Sequence, residues 1–173
     1  TDFLSTYFPN TNFLLAYPIS QQAELEKAIE LSNNNVDLTL MIDSLEHLKS
    51  IEQCIQKTSL TIKIKVCIDF DMSWRPFKMA PSIGVLRSPI HSIKHFVTLV
   101  EYIKKSQNIL LDGVMGYEAQ VAGLQDNTPY NFILNPIKKL IRKFSIRDVS
   151  KTRKEISKYI KNNKLNISFF NGG

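Results

Sequence analysis

The sequence predicts an α/β fold, a parallel sheet whose strands are joined by helical crossovers. Three observations predict it. Five short apolar runs alternate with amphipathic helical patterns along the chain. Polar residues gather where those runs end, at Asp43, at Asp69 and Asp71, at Tyr117 and Glu118, and at Asn171. The length, 173 residues, suits one domain with a real core and is short for two.

The first run, Asn12 to Tyr17, is ended by Pro18, which cannot continue a central strand. Ser20 is placed to N-cap a helix reaching Leu31, with Leu25, Ala28 and Ile29 on one face, and three asparagines, Asn33 to Asn35, then break it. Val36 to Ile42 is the second strand. Asp43 to Glu46 has capping-box spacing, and Leu45, Leu48, Ile51 and Ile55 form the apolar stripe behind it. Ile62 to Phe70 starts as an alternating strand and becomes continuously apolar, as a strand entering a buried sheet does.

An irregular stretch from Met72 to Ser88 holds Trp74, Pro76, Pro81 and Gly84. Pro89 to Ser92 leads into a helix to about Ser106, with Ile93, Phe96, Val97, Val100 and Ile103 facing inward. Ile109 to Tyr117 is the fourth strand. Two helices are expected at Phe132 to Lys143 and Val149 to Lys161, then a last strand from Leu165 to Asn171. In a barrel the carboxyl ends of the strands form the rim where active sites are built. An open doubly wound sheet would show the same pattern, and five strands suffice for it. A complete barrel needs eight strands, three more than the chain supplies.

Composition narrows the class. No apolar run approaches the length of a membrane helix, and the opening residues lack the basic-then-apolar pattern of a signal peptide. The missing initiator Met suggests a trimmed or partial piece. Cys54 and Cys67 fall inside helical and strand patterns, so both read as small buried hydrophobes in a reducing, cytoplasmic compartment. The net charge of +6 is concentrated. From Thr128 to Lys164 there are eleven Lys or Arg against Asp148 and Glu155, while the remainder has eleven basic and fourteen acidic residues. Such a segment suits nucleic acid or an anionic membrane surface, but a solvated helical face is the commoner reading, with Lys138, Lys139, Arg142, Lys143, Lys151, Arg153 and Lys154 pointing outward.

Several residues carry candidate chemistry. A strand running into Asn171-Gly172-Gly173 lets backbone amides approach a phosphate closely, though a glycine pair after a strand is more often a turn. There is no GxGxxG and no P-loop. His91 and His95 have metal-ligand spacing, but no Glu precedes the second His and no third ligand is nearby, so they read as helix-surface residues. Asp69 and Asp71 share one strand face and suit acid/base work or a cation, while capping of the following loop is the favoured reading. Trp74 and Arg75 suit an aromatic anion, with packing the simpler role for Trp74.

Taken together, LLAYP (14–18), MIDSLEHL (41–48), VCIDFDMSWRP (66–76), IGVLRSPIHS (83–92), LDGVMGYEAQVAGL (111–124) and FFNGG (169–173) resemble the amino acid deaminase/aldolase group. That group belongs to the D-threonine aldolase and alanine racemase class, the fold-type III pyridoxal-phosphate enzymes. The resemblance spans nearly the whole chain in order, and IGVLRSPIHS and GYEAQVAG are its specific parts. It implies a partial (β/α)8 TIM barrel of the alanine racemase N-terminal type, about strands three to seven, as a single domain truncated at both ends. It implies pyridoxal phosphate as cofactor, with its phosphate at Gly172 and Gly173 beside Asn171, and Tyr117 next to the ring. Arg75 and Arg87 are the residues placed to approach the cofactor or a substrate carboxylate. Relatives often carry an Arg where Ser82 stands, so that contact to the ring oxygen is not expected here.

None of the lysines matches the motif of the class's Schiff-base lysine, which precedes the LLAYP strand, so the chain alone is expected not to catalyse. Divalent-metal ligands of the aldolases would lie outside this chain. The implied parent is a lyase of amino acid metabolism, acting by retro-aldol cleavage or deamination on a small amino acid substrate, and a homo-oligomer fits it. The rival is a non-catalytic barrel-derived binding protein for a phosphate-containing or anionic partner.

Overall fold

The computed structural model describes residues 2–58, 62–76, 82–118, 121 and 135–172. In chain order these form α1 (Asp2–Tyr7), β1 (Phe13–Leu15), α2 (Gln22–Asn33), β2 (Leu38–Ile42), α3 (Leu45–Thr58), β3 (Ile64–Asp69), α4 (Ile93–Lys105), β4 (Ile109–Gly116), α5 (Asn135–Asn162) and β5 (Phe169–Gly172). All five strands are parallel and lie side by side in chain order. A doubly wound sheet reverses its order at a switch point. This sheet does not, and it is a curled portion of a β/α barrel.

One side-chain contact reports the curl. Thr39 Oγ1 on β2 donates to Asp112 Oδ2 on β4 at 2.8 Å. Strands two places apart lie about 9.5 Å from each other in a flat sheet, so these side chains meet across β3 only if the inner face is concave. A bulge contributes. Leu111 pairs with Val66 but Gly113 pairs with Cys67, leaving Asp112 as the extra residue. Its other oxygen accepts from Ser168 Oγ, just before β5, at 2.6 Å.

The opposite face carries the core. Leu38, Leu40, Ile42, Val66, Ile68 and Val114 from the strands pack against Leu25, Ile29, Leu48, Ile55, Phe96, Val149 and Ile156 from the helices in one cluster. Each of these helices presents a single apolar stripe, which is why it lies flat on the sheet. Neighbouring helices are also tied by polar contacts at their edges. Glu52 of α3 accepts from Tyr102 Oη and from Ser106 Oγ at 2.6 Å each, and Glu101 of α4 accepts from Tyr159 Oη of α5 at 2.9 Å.

Four details differ from the sequence reading. α1 was not expected, and it leaves Phe3 and Tyr7 exposed with their rings 4.7 Å apart. The Ser20 cap does not form: α2 starts later, with Gln21 at the N-cap position and no side-chain cap bond. The capping box is shifted by one residue. Ser44 accepts from His47 N at 3.2 Å, and His47 Nδ1 turns back onto Asp43 at 3.0 Å. Finally, the two C-terminal helices are one helix of 28 residues, α5. Residues 144–148 contain no Gly or Pro, and buried Ser145 and Val149 carry the inward face across the expected break. The start of the first expected helix, at Phe132, lies outside the described residues.

Candidate functional site at the strand ends

The carboxyl end of β3 delivers Asp69, whose side chain is 1% exposed. Its Oδ2 accepts from Arg87 Nε at 2.7 Å, while Oδ1 has no partner among the described residues. Arg87 Nη2 donates to the carbonyl of Ala16, just beyond β1, at 2.6 Å. One guanidinium therefore straps the end of β1 to the end of β3. It also lies 4.9 Å from the ring centre of Tyr17 and 5.9 Å from that of Tyr117, both within cation–π range. Burial raises the Asp69 carboxyl above its ordinary pKa; the Arg87 bond and charge oppose that, and Asp43 and Asp71 add to it.

The irregular stretch after β3 is what aims Arg87. Asp71 caps it, as expected: its Oδ1 accepts from Ser73 N at 3.1 Å and from Ser73 Oγ at 2.6 Å. Asp71 also pairs with Arg75, which donates to the Ser73 carbonyl at 3.0 Å. Trp74 and Ile83 form an antiparallel bridge with two 2.8 Å bonds, folding the stretch back on itself. Gly84 follows with φ of 150°, and a Cβ there would fall 2.2 Å from Ser73 Oγ, so only glycine fits. The returning segment is pinned by Ser88 Oγ, which donates to the Asp69 carbonyl at 2.6 Å. Arg87, one residue earlier, is delivered to the rim.

The ends of β4 and β5 form the other side. Gly116 and Gly172 are register partners, and Tyr117 and Asn171 flank them. Asn171 Oδ1 accepts from Gly172 N at 2.9 Å. Above this glycine pair sits Arg153 of α5. It pairs with Glu118, approaches the Gly116 carbonyl at 3.4 Å, and lies 5.2 Å from the Phe170 ring centre. A Cβ on Gly172 would fall 1.5 Å from Arg153 Nη2, so the missing side chain is what admits the guanidinium.

Of the residues singled out in the sequence, Tyr117, Asn171 and Gly172 come together at neighbouring strand ends, and Arg87 joins Tyr117. Arg75 turns onto Asp71, and Trp74 stacks on Phe144 of α5 at 5.8 Å. Gly173 lies outside the described residues. Arg153, expected on a solvated basic face, instead turns in against Glu118 and Gly172. The signal was present: Val149, Arg153 and Ile156 follow helical spacing, and the first and last are buried. Asp112 and the strap from Arg87 to Ala16 carried no sequence signal, because each joins segments distant in the chain.

His91 and His95 are exposed and meet edge to face at 5.3 Å, with His91 Nδ1 2.8 Å from the Pro89 carbonyl. Among the described residues no group of three His, Cys, Asp or Glu is arranged to hold a metal, and no helix is long and apolar enough to cross a membrane. Both cysteines are free and buried; burial pushes the Cys67 thiol up to about 12, which makes it a poor nucleophile. A groove of about 550 Å³ runs along the edge of β1 beside α2, lined by Leu15, Tyr17, Ala28 and Leu31.

No family model matches the chain, and no curated protein matches it in sequence. Solved structures do match its fold. An alanine racemase from Bacillus anthracis with bound L-Ala-P superposes with a TM-score of 0.63 at 14% identity, over 99% of this chain and 35% of that one. A D-threo-3-hydroxyaspartate dehydratase from a Delftia species gives 0.52 at 16% identity, over 99% and 39%. A histidine racemase from Leuconostoc mesenteroides gives 0.52 at 13% identity, over 85% and 32%. The chain spans between 32% and 39% of the length of these proteins. At such identities the likeness is one of fold, and the chain carries five consecutive parallel strands of the β/α barrel found in alanine racemase, the fold that its sequence resemblance implied.

Proposed function

We propose that this chain forms part of the cofactor-holding barrel of a pyridoxal-phosphate enzyme that acts on amino acids, of the aldolase-like lyase or deaminase kind. The observation that carries the reading is the set of residues assembled at the carboxyl ends of β3, β4 and β5. Asp69, Arg87 and Tyr117 converge there, next to the glycine pair Gly116 and Gly172. The barrel fold shared with two amino acid racemases and a dehydratase supports it, since sites in this architecture are built on that rim.

When bound, the cofactor supplies an electron sink for negative charge developing at an amino acid Cα. The chain's own residues would hold and orient it. A phosphate group approaching the Gly172 backbone, where there is no Cβ, would meet the Arg153 guanidinium that now lies against it. Tyr117, 37% exposed, offers a ring face at the strand end, next to the Arg87 guanidinium. Asp69 holds Arg87 through Nε and the Ala16 carbonyl holds it through Nη2, which leaves Nη1, with no bond among the described residues, as the nitrogen to offer a ligand carboxylate. Arg75, already engaged by Asp71, would approach a ligand only by leaving that pair.

Titration of the chain with pyridoxal phosphate, read by quenching of Trp74 fluorescence, tests the reading. Saturable binding is expected, weakened by up to about tenfold in Tyr117→Ala through loss of a ring contact. A linear, unsaturable response rules it out. Borohydride reduction of the mixture should fix no cofactor to any one lysine. A single labelled lysine would show that the chain carries its own catalytic lysine.

A further inference from the structure

We propose that Arg153 is a phosphate-binding residue, held on Glu118 until a phosphate group enters beside Gly172 and takes over its guanidinium. The inference rests on the reading above only for the identity of that phosphate as a cofactor's monoester.

The fold brings Arg153 to this place. It lies on α5 between Val149 and Ile156, which are buried at 4% and 0% exposure, so its stem follows the packed stripe. Its end reaches the one register pair where neither strand has a side chain, Gly116 with Gly172. The described contacts use a single nitrogen, Nη2, shared between Glu118 and the Gly116 carbonyl. Nε is buried with no partner among the described residues. A guanidinium carries five donors in a planar fork, and a buried donor left unmet, as this Nε is among the described residues, is costly.

A phosphate matches what is left over. It presents three acceptor oxygens and up to two negative charges, and it takes two parallel N–H bonds from Arg, whereas the observed Glu118 contact is made by Nη2 alone. The Gly172 amide beside it donates to the neighbouring Asn171 side chain, which an incoming oxygen can replace. On binding, Glu118 moves to solvent and Arg153 gains the anion. No covalent bond changes.

The competing role is a static clip, in which Arg153 and Glu118 only tie α5 to the end of β4. Equilibrium dialysis of the chain with inorganic phosphate, pyridoxal phosphate and pyridoxal separates the two. Arg153→Gln should weaken binding of both phosphates about 10- to 100-fold, the worth of charge-assisted bonds, and leave pyridoxal unchanged. Arg153→Lys should fall between Gln and wild type. Glu118→Gln should tighten phosphate binding several-fold, whereas a clip predicts lower thermal stability and unchanged affinity. If Arg153→Gln does not fold, the Glu118→Gln result decides: tightening supports the proposal, and unchanged affinity overturns it. Pyridoxal phosphate bound equally well by wild type and a folded Arg153→Gln overturns this proposal and leaves the cofactor reading standing. Phosphate binding that depends on Arg153, with no gain from the pyridoxal ring, sustains the proposal and sinks the cofactor reading. Absence of phosphate binding to wild type overturns the proposal outright.

Discussion

Arg87 and Arg75 both belong to the irregular stretch after β3, and each faces a carboxylate that is 1% exposed. Their surroundings differ. Asp71 is served locally, by Ser73 N, Ser73 Oγ and Arg75, all within four residues. Asp69 depends on a partner 18 positions away and keeps one oxygen without a bond among the described residues. Arg87 is also the more enclosed guanidinium, at 19% exposure against 34%, and its second bond holds the end of β1. The lesson is that similar ion pairs on one rim do different jobs. The local pair shapes a loop, and the long-range pair fixes the relative position of strand ends where a ligand would bind.

The largest effect that probes this contrast is Arg87→Met. It leaves the Asp69 charge buried without its cation and releases the strap to Ala16, so urea unfolding should show a loss of about 3–5 kcal/mol. Arg75→Met should cost about 1 kcal/mol or less, because Arg75 is a third exposed and Asp71 keeps both Ser73 bonds. Equal losses for the two variants would erase the distinction.

Acid–base behaviour sharpens it. Burial raises the Asp69 pKa, so the folded chain holds that proton more tightly than the unfolded chain does. Its contribution to stability is complete below the ordinary carboxylate range, about pH 4, and is lost as pH rises through the raised folded value. Stability measured across pH in wild type and Asp69→Asn should therefore show the wild-type advantage shrinking upward from about pH 4. In Arg87→Met the decline should be steeper and reach higher pH, because the charge that opposes the shift is gone. A wild-type advantage that grows with pH would mean that Arg87 outweighs burial.

The smallest effect concerns the basic helix. On α5, Lys139, Lys143, Lys151 and Lys154 are exposed, while Arg153 turns inward to Gly172. Binding to DNA or anionic vesicles should be weak and lost as salt approaches physiological strength. Tight binding that persists there would favour an anionic macromolecular partner over the cofactor reading.

Much of this was legible in the sequence because it depends on local periodicity. Alternating apolar runs and 3.6-residue stripes located the five strands and the crossover helices α2, α3 and α4, and the polar residues ending each run located the rim. Ser20 and the division of α5 were misread because helix ends are decided by one or two competing bonds, and because no Gly or Pro marked the expected break.

What the sequence determined by itself is the set of elements and the chemistry available at their ends. The tertiary structure decided which ends meet. Strand order separates a barrel from a doubly wound sheet, and it is a property of pairing between segments rather than of any one segment. The same holds for Thr39 with Asp112, for Arg87 with Ala16, and for Arg153 with Gly172. Each contact joins residues too far apart in the chain for any short-range pattern to record. Their energy comes from the curvature and packing of the whole sheet, which brings those atoms within bonding distance.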